Sequence, residues 1–247
     1  MNSLAMLALT VLVTAAVAGI GIYYLGPYLL EFWGHGIPGG GSAPSPRVVL
    51  TFDDGPDPRY TPRCLEILDA YQVHAAFFLI GEKVRRYPEL TRQIRTRGHD
   101  LGNHTWSHRR HWLLSPQRAE VEVREGMRAI AEVSGEPPRF FRPPFGQMNL
   151  CSYRAAARLG ERCVLWSLPG KDWRRGRSPG WIVRRVTLRL RGGAIILLHD
   201  SGGAEGAPDV MLKALPDIIQ EAKRRGFRLV SLSEMMGEGR AKESHGE

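Results

Sequence analysis

Two stretches, Val48-Val49-Leu50-Thr51-Phe52 and Ala194-Ile195-Ile196-Leu197-Leu198, are apolar at nearly every position rather than at alternate ones. A strand of that composition must bury both of its faces, as happens when helices cover a parallel sheet. Shorter apolar runs at residues 75–80, 140–142 and 163–166, with brief segments at 100–102 and 228–230, read as further strands. Amphipathic segments at residues 62–71, 87–97, 115–133, 152–159, 179–190 and 210–225 separate them, and Ser115-Pro116 supplies a helix start. The alternation predicts an α/β fold, open and doubly wound or closed into a barrel. The residues at the strand ends tip the choice. Asp53-Asp54, His104, Arg142, Asp172 and His199-Asp200 all stand just after apolar runs. A barrel gathers strand C-termini at one mouth, so the expectation is an irregular barrel with one polar site.

Ahead of that domain, residues 1–30 carry no charged side chain, and residues 4–25 are almost continuously apolar. About 20 helical residues cross the hydrocarbon core, so this segment is long enough for a transmembrane anchor. Tyr23, Tyr24, Tyr28 and Trp33 gather at its C-terminal end, where interfacial aromatics belong. The competing reading is a signal peptide cleaved after Ala16-Val17-Ala18; no basic residue precedes the apolar run, which continues well beyond Ala18. Residues 31–46, rich in Gly, Pro and Ser, read as a linker, residues 47–236 as the folded domain and residues 237–247 as a polar tail.

The net charge of +9, from 34 Lys and Arg against 25 Asp and Glu, favours anionic surroundings. The basic residues are scattered pairs such as Arg85-Arg86 and Arg184-Arg185, with no aromatic-interleaved stripe, so no nucleic-acid partner is expected. Cys64, Cys151 and Cys163 form neither a disulfide framework nor a CxxC metal site. Any bound metal must therefore use histidine and carboxylate.

Two weak signals point to such a metal. Asp53 and Asp54 end a buried strand, where adjacent carboxylates repel unless a cation is present. The competing reading is a solvated Asp-Gly-Pro turn at Asp54-Gly55-Pro56. In a regular strand the two side chains point to opposite faces, and the Gly-Pro turn is the expected place for that alternation to break. Asn103-His104-Thr105-Trp106-Ser107-His108 supplies a histidine pair. On an extended strand those histidines would lie roughly 13 Å apart, so sharing one ion demands a turn or helix.

Taken in order, the residues resemble the polysaccharide deacetylases with a NodB-homology domain, carbohydrate esterase family 4. Thr51-Phe52-Asp53-Asp54-Gly55-Pro56 is similar to the first motif of that family, and His104-Thr105-Trp106-Ser107-His108 to the second. Arg142-Pro143-Pro144-Phe145-Gly146 resembles the third, Asp172-Trp173 the fourth and Leu197-Leu198-His199-Asp200 the fifth. The resemblance implies an irregular (β/α)7 barrel and metal-dependent removal of N-acetyl groups from amino sugars. It implies Asp54, His104 and His108 as ligands of one divalent metal, Zn2+ first, with Co2+, Mn2+ or Ni2+ as alternatives. It implies Asp53 as catalytic base held by Arg142, and His199 as general acid oriented by Asp172. The backbone N–H of Phe145 becomes the oxyanion donor, and Trp173 and Leu198 line a slot for the acetyl methyl group.

Three positions depart from the pattern: Phe145 stands where tyrosine is common, residues 167–171 lack an early acidic residue, and Arg109 replaces a proline. They touch substrate contacts rather than the metal or base. The expectation is a single-pass membrane enzyme with its catalytic domain outside, deacetylating peptidoglycan N-acetylglucosamine. The alternatives are an enzyme for chitin-like oligomers or lipid-linked amino sugars, and a non-catalytic carbohydrate-binding barrel. The remaining histidines, His35, His74, His99, His111 and His245, are assigned to structure or solvent.

Overall fold

The computed structural model describes residues 3–34 and 46–237; His35, His245, most of the expected linker and nearly all of the expected tail lie outside that range. Helix α1 (Ser3–Gly34) comes first and runs four residues past the expected end of the apolar segment. Eight parallel strands come next: β1 (Arg47–Asp53), β2 (Ala76–Leu79), β3 (Asp100–Asn103), β4 (Phe140–Phe141), β5 (Arg162–Cys163), β6 (Leu168–Pro169), β7 (Ile195–His199) and β8 (Arg228–Leu229). Between and after them lie α2 (Thr61–Ala70), α3 (Gly81–Arg86), α4 (Pro88–Thr96), α5 (Pro116–Ser134), α6 (Leu150–Arg158), α7 (Pro179–Thr187), α8 (Ala207–Arg224) and α9 (Leu232–Met235). The strands order as β5-β4-β3-β2-β1-β7-β6, with β8 pairing the start of β1. The sheet curls into a half-barrel, the open form of the expected irregular barrel, with β1 at its centre.

The apolar strands bury both faces, for two different reasons. Leu50, Phe52, Ile196 and Leu198 face the helices and join Leu65, Ile94, Met211 and Ile218 in the main core. Val49, Ala76, Phe78, Phe140 and Ile195 face inward and form a second, smaller core. Helix ends obey their local chemistry. Ser115 caps α5 by accepting from the Arg118 N–H, and Asn149 and Ser152 form a reciprocal capping box on α6.

Three differences from expectation have physical causes. The helix expected over residues 87–97 begins earlier, as α3, and breaks at Tyr87, because the residue before Pro88 is excluded from helical geometry. The strand expected over 163–166 stops at Cys163. Beyond it, the carbonyls of Val164 and Leu165 accept from the Arg142 guanidinium at 3.0 and 3.1 Å. The two-residue β6, which pairs β7, carries too little sequence for a periodic signal.

Candidate active site

Strand β1 delivers Asp53 to the inner face of the sheet, directly opposite His199 at the end of β7. Asp54 would then point outward, but its backbone takes a left-handed φ of 73°. The break in alternation thus sits at Asp54 itself, one residue before the expected Gly-Pro turn. Lys83 Nζ, from α3, donates to the Asp54 carbonyl and to Ser201 Oγ, both at 2.7 Å, and holds that kinked backbone in place. Gly202 (φ 72°) passes so close that an added Cβ would lie 2.8 Å from Asp54 Oδ2, so glycine is required there on both counts.

After β3 the chain turns instead of continuing extended. Thr105 (φ 69°) and His108 (φ 56°) adopt left-handed backbone, as the shared-ion reading demanded. Asn103 Oδ1 accepts from the Thr105 N–H at 2.9 Å, and Glu122 accepts from both the N–H and the hydroxyl of Ser107. The two imidazoles come to 4.9 Å between centroids. Asp54 Oδ1 then lies 3.4 Å from His104 Nε2 and 3.0 Å from His108 Nε2.

These three side chains fit a metal ion by their own chemistry. His104 Nδ1 donates to the Arg142 carbonyl at 2.6 Å, which leaves Nε2 of the neutral ring as an acceptor facing a carboxylate. Asp54 Oδ1 is buried without a hydrogen-bond partner. A cluster of acceptors converging on one point calls for a cation, and one ligand atom from each residue lies within 4.8 Å of the others.

Asp53 Oδ1 accepts from Arg142 Nη1 at 2.6 Å, while Asp53 Oδ2 lies 3.8 Å from His104 Nε2. Arg142 is fully buried, and Thr51 Oγ1 and two backbone carbonyls accept from three of its other N–H groups. A desolvated guanidinium held by four hydrogen bonds fixes the orientation of the Asp53 carboxylate. Across the mouth, Asp172 accepts from the His199 N–H at 2.8 Å and lies 3.2 Å from its Nδ1. Burial opposes a charged His199, yet Asp172, Asp54 and Asp53 together push it up to about 9. Trp173 meets the His199 ring edge-on at 5.0 Å, and Phe145 meets His108 at 4.8 Å with left-handed backbone of its own.

Residues 40–164 match the sequence profile of the family described as Polysaccharide deacetylase. The chain is 38% identical over 193 residues to the peptidoglycan-N-acetylglucosamine deacetylase of Bacillus cereus, covering 76% of this chain and 87% of that one. This chain belongs to the polysaccharide deacetylases.

The deacetylase is also 37% identical over 199 residues to a chitooligosaccharide deacetylase of Bradyrhizobium, covering 76% and 90% of the two chains. Among solved structures, a peptidoglycan N-acetylglucosamine deacetylase in complex with 4-naphthalen-1-yl-N-oxidanyl-benzamide superposes with TM-score 0.74 at 32% identity, covering 79% of this chain and 90% of that one. A family 4 pseudoenzyme from Bacillus anthracis reaches 0.71 at 26% identity, covering 79% and 67%. The shared fold therefore spans active and inactive members, and the particular side chains decide the chemistry.

One assignment changes in the deacetylase. Leu198, expected in the acetyl slot, is fully buried on the helix-side face with Ile196 and Phe52. Alternation along β7 sends Leu198 outward and gives Leu197 the face of His199 and Asp53. Sequence reasoning also missed Lys83, which reaches the site from a helix of no distinctive pattern, and gave Asp200 no role. Asp200 is buried beneath the mouth and accepts from Thr61 Oγ1 at 2.5 Å; burial pushes its carboxyl up to about 7.

Proposed function

We propose that this deacetylase removes N-acetyl groups from peptidoglycan N-acetylglucosamine, outside a membrane that residues 1–30 anchor, with residues 31–46 as linker and 47–236 as catalytic domain. What carries the reading is one arrangement: Asp53 locked to buried Arg142 on one side of the Asp54–His104–His108 cluster, and His199 paired to Asp172 on the other. A carbohydrate-binding barrel has no need of a buried arginine tuning one acid and a second acid charging a histidine. The named peptidoglycan relatives, the apolar helix and the basic charge favour a wall polymer as substrate. The Bradyrhizobium relative keeps chitooligosaccharides as the second candidate.

Asp54, His104 and His108 would hold the divalent cation, Zn2+ first, with Co2+, Mn2+ or Ni2+ also compatible with two imidazoles and a carboxylate. Bound there, the ion would supply Lewis acidity to the hydrolysis. Asp53, held in place by Arg142, accepts the proton of the attacking water. The Phe145 N–H stabilises negative charge on the acetyl oxygen. His199 gives its proton to the departing sugar nitrogen, since an amine leaves poorly as an anion. Leu197 and Trp173 hold the acetyl methyl group.

Acetate release from purified peptidoglycan and from acetylated chitooligosaccharides, with and without chelator, tests the reading. Chelator-sensitive release, faster on peptidoglycan, supports it; no release from either polymer overturns it. Asp53→Asn should retain the metal with turnover reduced on the order of 10²–10⁴-fold, whereas His104→Ala should lose the metal itself. Metal content and rate are read on the same samples.

A further inference from the structure

We propose that the loop at Trp112-Leu113 seats in the headgroup layer of the bilayer, so that the catalytic mouth opens beside the membrane surface; this rests on α1 spanning that membrane. The register of α1 leads there. Its apolar stretch, Ala5–Gly26, has a mean hydropathy of 2.3. At 1.5 Å per residue those 22 residues run about 33 Å, close to the roughly 30 Å of a hydrocarbon core. Described side chains are exposed as far as Ile20, as lipid-facing ones must be, and become partly covered at Tyr23 and Tyr24. The catalytic domain therefore meets α1 at the last turn of the span.

The segment it presents there is apolar. The Tyr24 hydroxyl donates to the Trp112 carbonyl at 3.1 Å, with the two rings edge-to-face at 5.7 Å. Trp112 is 39% exposed and Leu113 80%, which puts two adjacent large apolar side chains in the open on a one-turn loop. The loop is not loose. Trp112 Nε1 donates to the Met148 carbonyl at 2.8 Å, and Asn149 Nδ2 donates to the His111 carbonyl at 2.8 Å. Asn149 also caps α6, the helix that packs on α1. Anchor, α6 and loop thus form one unit, and Tyr24 fixes the loop at the depth where aromatic side chains favour the membrane interface.

A short chain of contacts joins this loop to the site. Arg110, exposed and two residues before Trp112, stacks its guanidinium over Phe145 at 4.2 Å, and Phe145 meets the His108 ring. Arg109 and Arg110 place positive charge where anionic headgroups attract it. A mouth so placed reaches the glycan nearest the bilayer in preference to outer wall layers.

The full chain in phosphatidylglycerol-containing proteoliposomes provides the test. An environment-sensitive fluorophore is placed at Leu12→Cys, Leu113→Cys or Lys213→Cys, with the label on unsubstituted chain subtracted as background. Nitroxide lipids quench at shallow or deep positions. The expected result is deep quenching at position 12, strong shallow quenching with a blue shift at 113, and none at 213, which is exposed on α8. Position 12 quenched with 113 as aqueous as 213 would overturn the seated loop while leaving the span intact. An aqueous position 12 removes the span and the inference together. Neither outcome bears on acetate release, so the proposed chemistry stands or falls separately.

Discussion

His199, part-buried, and His111, fully buried, both lie close to the Asp54–His104–His108 cluster, yet their surroundings drive them in opposite directions. His199, at the end of β7, is pushed up to about 9 because Asp172, Asp54 and Asp53 surround it. His111, in the loop after β3, is pushed down to about 4, first by burial and then by His104 and His108. Neither of its ring nitrogens has a hydrogen-bond partner. Desolvation alone always disfavours the imidazolium; a carboxylate partner is what turns a buried histidine into an acid. The same contrast separates two acids. Asp53 pairs with a buried arginine, whereas Asp200 accepts from a threonine hydroxyl, and burial outweighs that bond and the nearby Lys83 to push it up to about 7.

The largest effect should come from removing the charged histidine. His199→Ala is expected to lower kcat on the order of 10²–10⁴-fold, the range of a lost general acid. His111→Leu should stay within about 3-fold of the parent, as a substitution away from the chemistry does. An equal fall in both would erase the distinction. Arg142→Met should cost about 3–5 kcal/mol in denaturant unfolding, because it strands Asp53 without its charge partner. Thr61→Val, which removes a neutral donor from Asp200 and the acceptor of the Asp57 N–H but strands no charge partner, should cost about 1–3 kcal/mol.

Asp172→Asn sharpens the comparison through pH. The general-acid role proposed for His199 requires it protonated, so kcat/KM should fall as pH rises through about 9. A bound cation offsets part of the Asp54 contribution and moves that limb lower. Replacing Asp172 should move it lower again, by about one to two units at about 1.4 kcal/mol each. A limb that did not move would remove Asp172 from the role. The sign for stability agrees. A histidine raised above its unfolded value of about 6.5 stabilises fully below that pH and loses the contribution as pH rises through about 9.

The smallest effect is the mirror image. His111 lies below its unfolded value, so the unfolded chain takes up the proton first and stability falls as pH drops from about 6.5 toward 4. His111→Leu should recover about 1 kcal/mol at pH 5.5 relative to pH 7.5, read from unfolding midpoints at both. His99, held down to about 4 chiefly by burial, remains as an internal standard.

Much of this molecule is legible before folding. Apolar runs with no alternation require a covered parallel sheet, and polar groups after each run place a site at the strand ends. Those are properties of composition along the chain, and the half-barrel obeys them. The spacing of His104 and His108 also imposed a turn, because an extended chain would hold the rings too far apart.

Other features depend on which residues meet across long separations. Leu197 rather than Leu198 faces the site because the β7 register against β1 sets which side chains point inward, and a one-residue error reverses every face. Lys83 supports Asp54 from 29 positions away, a pairing without a local pattern. The opposed protonation of His199 and His111 belongs to the same class. The order of residues along the chain was enough to bring histidines and acids to one mouth. Which histidine carries the charge was settled by the folded chain, because burial and neighbouring charge exist only once it has folded.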